Sequence, residues 1–143
     1  MSAAKKSSKS SGKTAPLDLR LLIPGMPLPG GIFAGLIYPK GVAQALIAGP
    51  EYDGALTWDA AMKWAKSLKV DGFSDFTLPL RREQSLAFAN IGDQFQPRWY
   101  WSCEQHASDT VYAWFQLFSN GDQRYWSKVN VSRGRAFRRL VIQ

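Results

Sequence analysis

From Thr57 the spacing of apolar residues changes, and this change constrains the fold more than any other feature of the chain. Trp58, Ala61, Met62, Ala65 and Leu68 recur at the interval of a helical turn, while the runs on either side are short and strand-like. Thr57 suits the N-cap of that helix, and Asp71-Gly72 lies past its end. The chain therefore has to combine strands with helices placed between them.

Before this point, Ile32 to Tyr38 and Gln44 to Ala48 read as two strands joined by a turn at Pro39-Lys40-Gly41. A loop follows at Gly49, Pro50, Asp53 and Gly54. After the first helix, Asp75 to Leu80 is an extended link containing Pro79. Arg82 to Ile91 then reads as a second helix with Leu80, Gln84, Ala87 and Ile91 on one face. Beyond Pro97 the pattern is β again, with strands at Trp99–Cys103, Val111–Phe118, Gln123–Lys128 and Ala136–Ile142. Asn120-Gly121 predicts a tight hairpin between the second and third of these. Alternation in the run from Val111 to Phe118 puts Val111, Ala113, Phe115 and Leu117 on one side, and Tyr112, Trp114, Gln116 and Phe118 on the other. The order ββ, αα, then a β-meander predicts an α+β domain whose two helices flank an antiparallel sheet.

At 143 residues the chain fits one domain. Residues 1–16 read as a flexible basic tail and residues 17–31 as an extended segment rich in Pro and Gly. Residues 32–143 form the folded domain. The net charge is +7, and Lys5, Lys6, Lys9 and Lys13 supply +4 of it before the first acid, Asp18. Arg124, Lys128, Arg133, Arg135, Arg138 and Arg139 form a second basic group after the last acid, Asp122. Such a balance suits acidic partners or a solvated basic face, and it does not choose between them. No apolar run approaches the roughly 20 residues of a membrane span, and no secretory leader is visible, so a cytoplasmic location is expected.

Chemistry has few candidates. Cys103 is the only cysteine, which excludes an internal disulfide and a cysteine-based zinc site. His106 is the only histidine, and no spacing of acids supplies it with partner ligands, so neither metal nor cofactor is expected. Cys103 and His106 stand three residues apart in a strand-to-loop segment, a poor arrangement for a thiolate and its base. Gly25 to Gly31 lacks the Lys-Ser/Thr ending of a phosphate-binding loop.

The motifs TW at Thr57-Trp58, LP at Leu78-Pro79, Glu83, WS at Trp101-Ser102, AW at Ala113-Trp114, Phe118, Gly121 and Arg138 occur in this order. Together they resemble the Lcl C-terminal domain family, over roughly residues 30–142. That resemblance implies a C-type-lectin-like fold, found in bacterial surface proteins and in phage and prophage genomes. It implies structural roles for Trp58, Leu78, Pro79, Glu83, Trp101, Trp114, Gly121 and Arg138. Trp101 and Trp114 would pack between helices and sheet, and Glu83 with Arg138 would make a charge-assisted pair. A short form with one cysteine and no leader is similar to the phage-encoded variants.

On this reading the protein is not an enzyme but a module that engages a macromolecule from its C-terminal half. The residues placed at the contact are Tyr100, His106, Arg124, Tyr125, Trp126, Lys128, Arg133 and Arg135, since Trp, Tyr and Arg supply much of the energy of interfaces. The competing reading makes Trp126 a core residue and the arginines solvated. The partner would be a host factor, such as a defence complex that the protein blocks; alternatively, the protein itself would sit on the virion as a tail or receptor-binding accessory. Direct binding of nucleic acid through the lysines and C-terminal arginines is a further alternative.

Overall fold

The computed structural model describes residues 18–142, and the expected basic tail, residues 1–16, lies outside them. The strands are β1 (Pro27–Leu28), β2 (Gly31–Ile37), β3 (Gln44–Glu51), β4 (Trp99–Gln105), β5 (Tyr112–Leu117), β6 (Gln123–Ser127) and β7 (Arg135–Val141). Helices α1 (Trp58–Ser67) and α2 (Arg81–Ile91) lie between β3 and β4. The domain is α+β, as expected, but its strands form two antiparallel sheets rather than one, ordered β1-β2-β3-β7 and β4-β5-β6. The meander stops at β6 because residues 128–134 turn back and run beside β4, where Tyr100 and Arg133 form a parallel bridge. β7 then pairs with β3, its buried Ala136 and Phe137 completing that sheet.

The Pro- and Gly-rich extended segment packs into the core beside β2, β3 and β7. Asp18 caps a short 3-10 turn at Leu19–Leu21, and Leu22, Met26 and Leu28 pack on Phe33, Ala45, Ile47 and Leu140. Pro29-Gly30 turns β1 into β2, with Gly30 at φ +94°, a conformation that a residue without Cβ adopts freely.

Thr57 Oγ1 accepts from the Ala60 amide (3.4 Å) at the start of α1, and Ala61 and Ala65 are its buried stripe. Asp71-Gly72, read as a helix stop, is itself a tight hairpin turn. Both residues have positive φ (53° and 84°), and Val70 and Phe73 exchange two backbone bonds of 2.9 Å across it. Asn120-Gly121 does not form the two-residue turn expected. Only Gly121 has positive φ (85°), and Leu117 pairs with Asp122 around a longer loop (2.9 Å). A Cβ on Gly121 would sit 3.0 Å from the Phe88 ring, so this close approach also selects glycine.

The β4-β5-β6 sheet lies between the helices. On the α1 side, Trp101, Ala113 and Phe115 pack with Ala61, Ala65, Phe76, Leu78 and Ala136. On the α2 side, Tyr100 and Phe118 pack with Ala87, Ile91, Phe95 and Phe137. The two sides of β5 are those that its alternation predicts. Leu78 and Pro79 are buried, and the Pro79 carbonyl accepts from the Cys103 amide (2.8 Å). Trp58 Nε1 donates to the Ser102 carbonyl and Trp101 Nε1 to that of Leu56, both at 2.8 Å.

Two expected structural roles change. Glu83 does not pair with Arg138. Arg138 donates to Asp75 (2.8 and 3.1 Å), and Glu83 accepts instead from Arg139, through Nε (3.0 Å) and Nη2. Adjacent residues of a strand face opposite ways, and Arg139, opposite Leu46, is the one on the α2 side. Trp114 is also not sandwiched in the core. It is half-buried on the outer part of the α2 side, with the Arg81 guanidinium 3.5 Å from its ring centre. Among the described residues, no helix is long and apolar enough to cross a membrane.

Candidate functional site

Strand β6 is the edge of its sheet, and its two central aromatic residues are exposed on opposite faces. Tyr125 is 49% exposed and lies across from Trp114, while Trp126 is 42% exposed and lies across from Ala113. An aromatic surface develops around each.

On the Tyr125 face, His106, Tyr112, Trp114 and Tyr125 form a cluster. The His106 ring lies 4.5 Å from Tyr125 and 5.9 Å from Trp114, nearly parallel to the latter. The loop after β4 places His106: its Nδ1 accepts from the Ser108 and Asp109 amides (3.2 and 3.1 Å), and its own amide donates to the Tyr112 carbonyl (2.8 Å). Arg81 closes the cluster at the start of α2. Its Nε donates to Gln123 (3.1 Å), and its amide donates to the Glu104 carboxylate (2.8 Å).

Beneath this cluster lies a relay of glutamines. Gln123 Nε2 donates to Gln116 Oε1 (2.7 Å), Gln116 Nε2 to the Gln84 carbonyl (2.8 Å), and Gln84 Nε2 to the Tyr100 carbonyl (3.0 Å). These bonds fix α2 on the sheet and hold the aromatic cluster in register. Burial favours pairing of such amides, and among the described residues Gln84 Oε1 alone of the buried side-chain polar atoms has no partner. Helical spacing sets Gln84 on the buried face of α2, but the bonds that join the three glutamines come from segments distant in sequence.

On the Trp126 face, rings from three strands stack across the sheet. Trp99 lies 4.3 Å from Phe115, and Phe115 lies 5.4 Å from Trp126, at interplanar angles of 24° and 25°. A shallow cleft of about 410 Å³ opens over them, lined by Trp99, Leu117, Trp126 and Val131, with Arg98 and Arg133 at its margin. Val131, in its lining, is exposed. Arg124 shares this face, opposite Phe115, and its ion pair with Asp122 is loose at 3.7 Å. Lys128 reaches over Trp58 (4.4 Å) and donates to Gln105 (2.6 Å).

Of the eight residues placed at the contact, the structure brings together His106 with Tyr125 on one face, and Trp126 with Arg124 and Arg133 on the other. Lys128 flanks the second face. Tyr100 does not belong to it: at 1% exposure its hydroxyl donates to Glu51 (2.6 Å) and accepts from the Gln96 amide (3.0 Å). Burial, and then the Glu51 carboxylate, hold its ionisation far above the usual tyrosine range. Arg135 is also structural. It donates to the Gly49 and Gln94 carbonyls (2.8 and 2.7 Å) and lies over Phe95. Sequence reading missed Tyr112, Trp114, Trp99 and Arg98 at these surfaces. The alternation of β5 did place Tyr112 and Trp114 together.

Cys103 packs among the α1-side residues, and burial, followed by the Glu104 charge, pushes its thiol up to about 11. Among the described residues, no three His, Cys, Asp or Glu side chains gather as metal ligands. A larger cleft of about 760 Å³ lies between the β2–β3 turn and α2. Its Glu83 and Arg139 already satisfy one another, and only Lys40 and Arg82 add charge to it. No protein-family model matches this chain, and no curated protein matches it either.

Proposed function

We propose that this protein is a non-enzymatic binding module of phage or prophage type, with a C-type-lectin-like fold similar to that of the Lcl C-terminal domain family. It engages a macromolecular partner through the two faces of β6. The fold reading draws on the order of the motifs and on the two helices placed between strands that pair with each other. One observation carries the binding role: Tyr125 and Trp126, consecutive in an edge strand, are both exposed and each belongs to its own ordered aromatic surface. Exposed Trp and Tyr with Arg at the margin are the composition of interface hot spots.

The partner is a protein of the bacterial host, blocked by this contact, or a component of the virion. Affinity purification from a nuclease-treated lysate tests the first, with the Tyr125→Ala/Trp126→Ala variant as control. A partner retained equally by the folded variant would refute the assigned surface. Recovery of the chain in purified particles would favour the virion role.

Direct nucleic-acid binding is the second reading, favoured by Arg98, Arg124 and Arg133 around the stacked Trp99 and Trp126. Bases stack on such rings while guanidinium groups meet phosphates. It requires affinity for an oligonucleotide that falls steeply with salt.

A further inference from the structure

The two sheets have four outer edges, and the chain treats three of them alike. β7 is covered by Thr77, which exchanges two backbone bonds with Phe137 (3.0 and 2.8 Å). β4 is covered by Arg133, bonded to Trp99 and Trp101, and by Pro79, bonded to Cys103. β1 is only two residues long. Covering or shortening an edge prevents it from pairing with another chain.

β6 differs. The amide of Leu117 bonds to the Asp122 carbonyl (2.9 Å) and that of Lys128 to the Val111 carbonyl (3.0 Å). Hydrogen-bonded pairs alternate along an antiparallel ladder, so in this register the backbone groups of Gln123, Tyr125 and Ser127 point away from β5. Among the described residues, the one backbone bond formed on that side is from the Asn130 amide to the Ser127 carbonyl (3.1 Å). The N–H and C=O of Tyr125 stand open at the centre of a strand whose side chains are exposed on both faces.

Charge selects what can pair there. Arg124 and Lys128 belong to or adjoin the strand, and the Arg81 guanidinium lies over Trp114 on its Tyr125 face. Of the nearby acids, Glu104 is bound by the Arg81 amide, Asp109 accepts from the Val111 amide, and Asp122 lies 3.7 Å from Arg124. Residues 1–17 carry four lysines and no acid, so this edge repels them. A second copy would bring the same cations against themselves.

We infer that β6 is a strand-docking edge that takes an extended acidic segment of another protein. The segment adds to the sheet through the backbone of Tyr125. Its alternate side chains fall on the His106–Trp114–Tyr125 cluster and on the Trp99–Phe115–Trp126 stack, while its carboxylates meet the arginines. This inference rests on the binding role proposed above and specifies the form of the partner.

The test uses the full chain, isotopically labelled, with a synthetic peptide in which Glu-Glu pairs alternate with Val-Tyr pairs, so that each face of the strand carries both kinds of side chain. Amide hydrogen exchange is read by nuclear magnetic resonance. The expected result is saturable binding with slowed exchange at the Gln123 and Tyr125 amides. Methylating the peptide's amides along one edge should weaken binding roughly tenfold or more, since each lost backbone bond removes about 1 kcal/mol. Replacing its Glu with Lys should abolish binding. Absence of saturable binding, protection at other amides, or equal affinity of the methylated peptide would each overturn strand docking. In those cases, continued loss of partner capture by the Tyr125→Ala/Trp126→Ala variant would leave the aromatic surface standing. Protection of the Tyr125 amide by oligodeoxythymidylate, or by rising protein concentration alone, would also overturn it, in favour of nucleic acid or a second copy.

Discussion

Arg139 of β7 holds the Glu83 carboxylate of α2 through two guanidinium nitrogens, and Glu83 also accepts from the Leu80 amide at the start of that helix (2.9 Å). The carboxylate is 3% exposed. Removing one member of a buried pair leaves the other without compensation, which typically costs about 3–5 kcal/mol. Arg139→Ala should therefore lose most of the domain's stability in urea denaturation. Glu83→Gln, which keeps an acceptor for Leu80, should lose less. Equal and small losses would show that the pair is not a principal tie between helix and sheet.

Arg138, one residue away, holds the Asp75 carboxyl below its ordinary value of 3.8, chiefly by side-chain hydrogen bonding. A depressed folded pKa contributes stability above the unfolded value, and that contribution is lost as pH falls through the folded value. Asp75→Asn should lower the urea midpoint at neutral pH and converge with the parent protein at a pH well below 3.8. The difference will be modest, because the Asp75 side chain is half exposed.

Tyr100 titrates in the opposite sense. Its folded ionisation lies above the ordinary value of 10.0, so the stability it contributes is present below that pH and declines as pH rises beyond it. Absorbance of its phenolate should appear only together with unfolding. Tyr100→Phe removes the bonds to Glu51 and Gln96 and should cost about 1–2 kcal/mol at neutral pH.

Trp101→Ala and Trp126→Ala should separate stability from binding. Trp101 is fully buried, and its loss should cost about 3–5 kcal/mol. Trp126→Ala should change stability by about 1 kcal/mol or less while abolishing partner capture. Comparable melting curves for the two variants would contradict the different positions of these rings.

Cys103 should resist alkylation. With its thiol near 11, about one molecule in a thousand carries the thiolate at pH 8. Iodoacetamide labelling should rise steeply only in strong base or on unfolding. Rapid labelling of the folded protein at neutral pH would refute this environment.

What could be read from sequence follows from which interactions are local. Both helices and the strands of the C-terminal half were visible because α1 repeats Ala61 and Ala65 at helical spacing and β5 alternates from Val111 to Phe118. The division into two sheets was not, because nothing near Ala136 and Phe137 records that their neighbours are Ala48 and Thr77. The Glu83 partner was misplaced by one residue for a similar reason: strand register assigns the face, and β7 takes its register from a distant strand. At the candidate site, residue type identified Tyr125 and Trp126, but type alone also selected Tyr100 and Arg135. Their burial depends on Glu51 and on the carbonyls of Gly49 and Gln94. Arg98 and Trp99 joined the surface only through the passage of residues 128–134 beside β4.

That β3 has β7 as a neighbour also sets the order of events during synthesis. When β3, α1 and α2 have left the ribosome, one side of β3 is still bare, and the apolar face shared by Leu46, Ala48 and Phe137 is incomplete. Closure joins segments separated by most of the domain's length, the kind of topology that folds slowly. A nascent chain arrested before Arg135 should be a substrate for chaperones and proteases, and the domain should acquire protease resistance in a single late step when Arg135–Val141 becomes available.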